Sequence, residues 1–95
     1  MLTVEWSKQA KADLLAILDH ISDDNPAAAW RFRDEIDMRI SHLPAHPRLY
    51  KVGREQGTRE MVVLPNYLVV YAECANCISV LRILHTARQW PPASG

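Results

Sequence analysis

Glycine is scarce in this chain, limited to Gly53, Gly57 and Gly95. That excludes the glycine-rich loop with which many proteins cradle a nucleotide phosphate. The G-x-S-x-G elbow of serine hydrolases, the H-E-x-x-H zinc motif and the EF-hand calcium pattern are also missing. Cysteine is limited to Cys74 and Cys77. A zinc site needs four ligands, and no second Cys/His pair stands at usable spacing. A redox C-x-x-C normally opens a helix, which this one does not. The pair therefore reads as two free thiols flanking a hairpin turn, which suits a reducing cytoplasm. The four histidines (His20, His42, His46 and His85) are scattered, so neither a metal site nor a cofactor is expected. No apolar run approaches the roughly 20 residues of a membrane span. Met1-Leu2-Thr3 leads straight into strand-like residues, so no signal peptide is expected either. Charge of one sign is lacking too: 11 Lys and Arg balance 11 Asp and Glu. The first fifty residues lean acidic and the rest lean basic, too mildly to imply a pull toward nucleic acid.

What is present is a chain of 95 residues, 48% of them hydrophobic, which fits one folded domain over 1–95 with one small core. Leu2 to Trp6 reads as a short strand. Ser7 is a plausible N-cap, and Ala10, Leu14, Ile17, Leu18 and Ile21 then recur at helical spacing, predicting a helix over about 8–22. Asp24-Asn25-Pro26 breaks it. Asn25 can cap a second helix whose first position suits Pro26. That helix should run from Pro26 to about Leu43, burying Ala29, Phe32, Ile36, Ile40 and Leu43. Arg31, Arg33, Asp34, Asp37 and Arg39 alternate in sign on its other side, as on a solvated face. The short turn between the helices predicts an antiparallel hairpin.

The rest of the chain is organised around Gly57–Trp90, where three short apolar runs read as strands. A two-residue turn at Pro65-Asn66 sets Leu64 opposite Tyr67 and Glu60 opposite Tyr71. A turn at Ala75-Asn76 sets Val69 opposite Arg82. Alternation then separates two faces. Met61, Val63, Leu68, Val70, Leu81 and Ile83 should lie under the helices. Glu60, Val62, Tyr67, Val69, Tyr71, Val80, Arg82 and Leu84 should line a more open face. A one-residue slip would exchange the faces of a strand. The expected class is α+β, in the order β-α-α-β-β-β, with a helix hairpin on one face of a small, mainly antiparallel sheet.

Four residues could carry chemistry. Arg82 interrupts an apolar strand and needs a partner if buried. Glu60 is a candidate for that pairing; otherwise Arg82 offers a rigid cation to a phosphate or an acidic partner. His85 ends the strand, either as a hydrogen-bonded terminus or as a general acid or base. Arg82 and His85 are three apart, so they share a site only if the strand bulges or ends early. Arg59 stands near a strand start, where a long side chain can reach the rim. The loop over 44–57 gathers His46, Arg48, Lys51 and Arg54 around Leu49, Tyr50 and Val52. It is either a solvated connector or a phosphate- or partner-binding rim.

Several of these stretches, taken together, resemble the RelE/ParE superfamily of bacterial toxin–antitoxin toxins over nearly the whole chain. They are Ala10-Lys11-Ala12-Asp13-Leu14, Asn25-Pro26-Ala27-Ala28-Ala29, His46-Pro47, Gly57-Thr58-Arg59-Glu60, Pro65 to Tyr71, Leu81-Arg82-Ile83-Leu84-His85 and Gln89-Trp90. The resemblance implies a cytoplasmic toxin, often a plasmid-stabilising one, that arrests growth and is neutralised by direct binding of a cognate antitoxin. It leaves two targets open. RelE-like members are ribosome-dependent mRNA endonucleases that need no metal. In that case Arg59 and Arg82 would stabilise the phosphate, Glu60 would activate the 2′-OH, and His85 would protonate the leaving oxygen. ParE-like members poison DNA gyrase. Neutral charge and a thin catalytic set favour the gyrase poison, since docking on ribosomal RNA relies on releasing counterions from phosphates. Lys51, Arg54, Tyr67, Val69, Tyr71, Gln89 and Trp90 are the expected contacts to target or antitoxin.

Overall fold

A computed structural model of the chain describes residues 2–64 and 66–87; Gln89 and Trp90 lie outside the described residues. Strand β1 (Thr3–Trp6) leads into helix α1 (Lys8–Asp24) and helix α2 (Pro26–Ser41). Strands β2 (Lys51–Val52), β3 (Arg59–Val63), β4 (Tyr67–Glu73) and β5 (Cys77–His85) follow. Among the described residues they form one sheet in the order β1-β5-β4-β3-β2. The ladder is antiparallel from β5 to β2, and β1 joins β5 in parallel at the far edge. The α+β class and its element order are as read from the sequence. The additions are the parallel edge and β2, a two-residue strand inside the segment read as a loop.

Local signals fix the helices. Ser7 Oγ accepts from the Ala10 N–H at 2.9 Å, and Asn25 Oδ1 accepts from the Ala28 N–H at 3.1 Å, each satisfying a donor that a helix start leaves open. Pro26 occupies the opening of α2, where its missing N–H loses nothing. Ala29, Phe32, Ile36, Ile40 and Leu43 are all buried, as their spacing requires. Phe32, Ile36, Ile40 and Leu43 pack with Met61, Val63, Val69, Tyr71, Ile78, Val80 and Ile83 of the sheet in one core. No described helix is long and apolar enough to cross a membrane.

The register differs from the expected one at two points. Val63 pairs with Tyr67, so three residues rather than two connect β3 to β4, and Leu64 takes a positive φ of 54°. This one-residue change turns β4 over. Tyr67, Val69 and Tyr71 face the helices, not an open surface: Val69 and Tyr71 are fully buried, and Tyr67 packs its ring against Phe32 at 4.9 Å. The second point is a bulge between β4 and β5. Ala75-Asn76 does make the turn, and Tyr71 pairs with Val80 as expected, but the ladder resumes at Val70 and Arg82 with Leu81 as the extra residue. Val80 therefore follows Tyr71 into the core, and the bulge leaves Leu81 out of it while returning Ile83 to the helix side. Cys74 and Cys77 flank the turn as anticipated but are joined as a disulfide, correcting the reading as free thiols. Their Cα atoms are 5.0 Å apart, within the reach of such a bridge.

Candidate functional site

Arg82 does not meet Glu60. Its guanidinium forms a two-point ion pair with Asp13 of α1, Nε to Oδ2 at 2.7 Å and Nη2 to Oδ1 at 3.0 Å. Both side chains are nearly buried. The reason lies at the edge of β5. The β1–β5 ladder ends at Trp6 and Val80, so β5 continues with edge groups that have no strand beside them. The turn into α1 supplies partners instead: the Ser7 N–H donates to Val80 O at 2.9 Å, and the Ser7 hydroxyl donates to Leu81 O at 2.9 Å. Asp13 Oδ2 then accepts the Ile83 N–H at 3.0 Å. Asp13 thus stands in for the missing strand and neutralises Arg82, which meets the requirement that buried polar groups be paired. Reading the sequence overlooked Asp13. Its signal was a lone carboxylate three residues from Ala10, on the stripe that should pack inward.

Glu60 is buried and takes a different partner. Its carboxylate accepts from the Arg54 backbone N–H at 3.0 Å and lies 3.5 Å from the Arg54 Nε. It braces the 53–58 turn, where the Gly53 N–H donates to Thr58 O at 2.8 Å. A Cβ at Gly53 would collide with the Thr58 side chain, so this close approach requires glycine. Arg59 is also committed: its guanidinium donates to Tyr50 O at 2.7 Å and to Arg48 O at 3.4 Å. The neighbouring Tyr71 hydroxyl donates to Pro47 O at 2.9 Å. Burial raises the Tyr71 phenol above its ordinary value, with the nearby Arg59 charge acting in the opposite direction.

His85 is exposed at the end of β5. Its Nδ1 accepts the Ala87 N–H at 3.1 Å, so the neutral ring carries its proton on Nε2. The ring stands edge-on to Tyr67 at 5.3 Å. The two line a cleft of about 290 Å³ with Asp13, Ile17, His20 and Leu84; His20 was not foreseen there. The bulge lies before Arg82, so Arg82 and His85 keep opposite parity. Arg59 pairs with Tyr71 and His85 with Tyr67, four residues apart along β4, or about 13 Å at the usual strand rise. The four candidate catalytic residues are therefore not brought to one point. Among the described residues, no group of three His, Cys, Asp or Glu is placed to hold a metal ion.

Exposed apolar surface lies elsewhere than expected. Of Val62, Tyr67, Val69 and Leu84, only Val62 is exposed, at 51%. A groove of about 340 Å³ runs along the outside of the helix hairpin, lined by Leu15, Leu18, Pro26, Ala29 and Trp30 with Asp19 and Arg33 beside them. Leu15 and Trp30 are mostly exposed there. Lys51 and Arg54 are exposed at the β2 edge of the sheet, with Arg54 held to Glu60.

A helix hairpin on one face of a mixed five-stranded sheet defines the architecture. Residues 4–90 match the model of the ParE toxin of type II toxin–antitoxin systems, and the chain belongs to that family. It is 33% identical over 88 residues to Toxin RelE2 of Caulobacter vibrioides, covering 93% of this chain and 99% of that protein. The fold is shared with the chromosomal ParDE system of P. aeruginosa at a TM-score of 0.81 and 24% identity, over 90% of this chain and 96% of that one. It is shared more distantly with E. coli YafQ, at a TM-score of 0.64 and 14% identity, over 92% and 96% of the two chains. The chain is thus the toxin of a type II toxin–antitoxin pair.

Proposed function

We propose that this toxin acts as a ParE-like poison of DNA gyrase, by binding rather than by cutting RNA. One observation carries the reading. Arg59, Glu60 and Arg82 each hold a different part of the fold together, and His85 stands apart from all three. Cleavage of a phosphodiester needs its acid, base and cations around one phosphate. The family match and the ParDE neighbour lean the same way. The antitoxin is assigned to the hairpin groove. With Tyr67 and Val69 turned inward, Leu15 and Trp30 offer the apolar surface that an amphipathic segment can bury.

The contrary reading, a ribosome-dependent endonuclease, is favoured by His85, whose ring is fixed through Nδ1 while its edge stays exposed. Expression without antitoxin, followed by separate assays of DNA double-strand breaks and mRNA cleavage, distinguishes the two. The expected result is DNA breaks, with toxicity retained in His85→Gln. Cutting of ribosome-bound mRNA, abolished in a folded His85→Gln variant, would overturn the proposal.

A further inference from the structure

The 46–54 segment has almost no regular structure, yet the sheet holds its backbone at successive points. The carbonyls of Pro47, Arg48 and Tyr50 are taken by Tyr71 and Arg59. Arg48 pairs with Glu73 at 3.1 Å, and the Arg54 N–H is held by Glu60. Surface loops are ordinarily the less constrained parts of a fold. This one is pinned while it presents two large apolar side chains to water, Leu49 at 68% and Val52 at 69% exposure. Single exposed apolar residues need no explanation. Two within four positions on a braced loop form a ready-made contact whose ordering cost is already met. Lys51 stands between them, while the flanking cations are already matched, Arg48 by Glu73 and Arg54 by Glu60. The loop is therefore an apolar tip with a lysine at its centre.

We propose that this loop is the surface by which the toxin grips its target protein, seating Leu49 and Val52 in an apolar hollow that carries a carboxylate for Lys51. The proposal rests on the reading of the chain as a poison that acts by binding. Shape and charge select this occupant. Neither cleft described above is lined by any residue of 46–54, so the loop offers a projection rather than a groove for a segment such as the antitoxin. A phosphate backbone would satisfy Lys51 but leave Leu49 and Val52 in water, whereas a folded acidic surface satisfies both.

The test uses the full chain, purified with its antitoxin, as a Leu49→Ser/Val52→Ser double variant and as Lys51→Glu. Changes at such exposed positions leave stability near that of the native chain, which a thermal melt checks. The expected result is unchanged antitoxin affinity with toxicity and target capture reduced at least about tenfold in both variants. Full toxicity in the double variant would overturn the proposal. So would an equal loss of antitoxin affinity, which would make the loop an antitoxin contact. A steeply salt-dependent affinity for single-stranded RNA, lost in Lys51→Glu, would overturn it in favour of nucleic acid. If the native chain gives no gyrase-dependent DNA breaks but the loop variants still lose toxicity and keep antitoxin, the gyrase reading fails and the loop surface stands.

Discussion

Asp13 and Arg82, 69 residues apart in sequence, close against each other at 2.7 Å, and the same carboxylate receives the Ile83 backbone N–H. This contact ties α1 to β5 where β1 runs out. Removing one partner leaves a charge without compensation in a nearly buried place. Asp13→Ala is therefore expected to lower stability by about 3–5 kcal/mol, read from urea denaturation. Replacing both partners with apolar residues, as Asp13→Leu/Arg82→Met, should lose less than Arg82→Ala alone. A double variant as unstable as the sum of the single losses would show that the two residues do not act as a pair.

Tyr71 predicts an alkaline limb. Its folded pKa is raised by burial, so the folded state holds its proton more tightly than the unfolded chain. The stability contribution is complete below the ordinary tyrosine value of about 10 and is lost as pH rises through the folded value. Tyr71→Phe removes the hydrogen bond to Pro47 O, a loss of about 0.5–1.5 kcal/mol at neutral pH. It should also flatten the decline above pH ~10. Urea midpoints at neutral and alkaline pH, compared between native chain and variant, measure both effects.

Glu60 separates a structural carboxylate from a catalytic base. Glu60→Gln weakens charge-assisted bonds to Arg54 and should lower stability by about 1.5–3 kcal/mol. Under the binding mechanism, toxicity at a temperature where the variant remains folded should match that of the native chain. A folded Glu60→Gln protein without toxicity would point to proton abstraction by this residue.

The Cys74–Cys77 bridge closes a turn that already has its own hydrogen bond, from Cys74 N–H to Cys77 O at 2.8 Å. The loop it closes is very short, so reduction should lower stability by about 2 kcal/mol at most. Cys74→Ser/Cys77→Ser should keep fold and toxicity. Unfolding curves with and without reductant supply the check.

The helices and the inner stripe of α2 were written locally. As helix caps and starts, Ser7, Asn25 and Pro26 act on groups within three or four residues of themselves, and the step from Ala29 to Leu43 depends only on helical period. The family resemblance was equally legible, because it rests on the order of short motifs. The faces of the sheet were not. A strand alternates every residue, so one extra residue at Leu64 reversed the orientation of Tyr67, Val69, Tyr71 and, through its pairing with Tyr71, Val80, while one at Leu81 returned Ile83 to its expected face. Nothing within either strand records such a slip, since both of its faces are apolar. The partner of Arg82 was hidden for a related reason. A sequence shows that a buried guanidinium needs a carboxylate, but Glu60 and Asp13 are equally good chemistry. Only the ending of β1 beside β5, which brings α1 against a bare strand edge, selected Asp13.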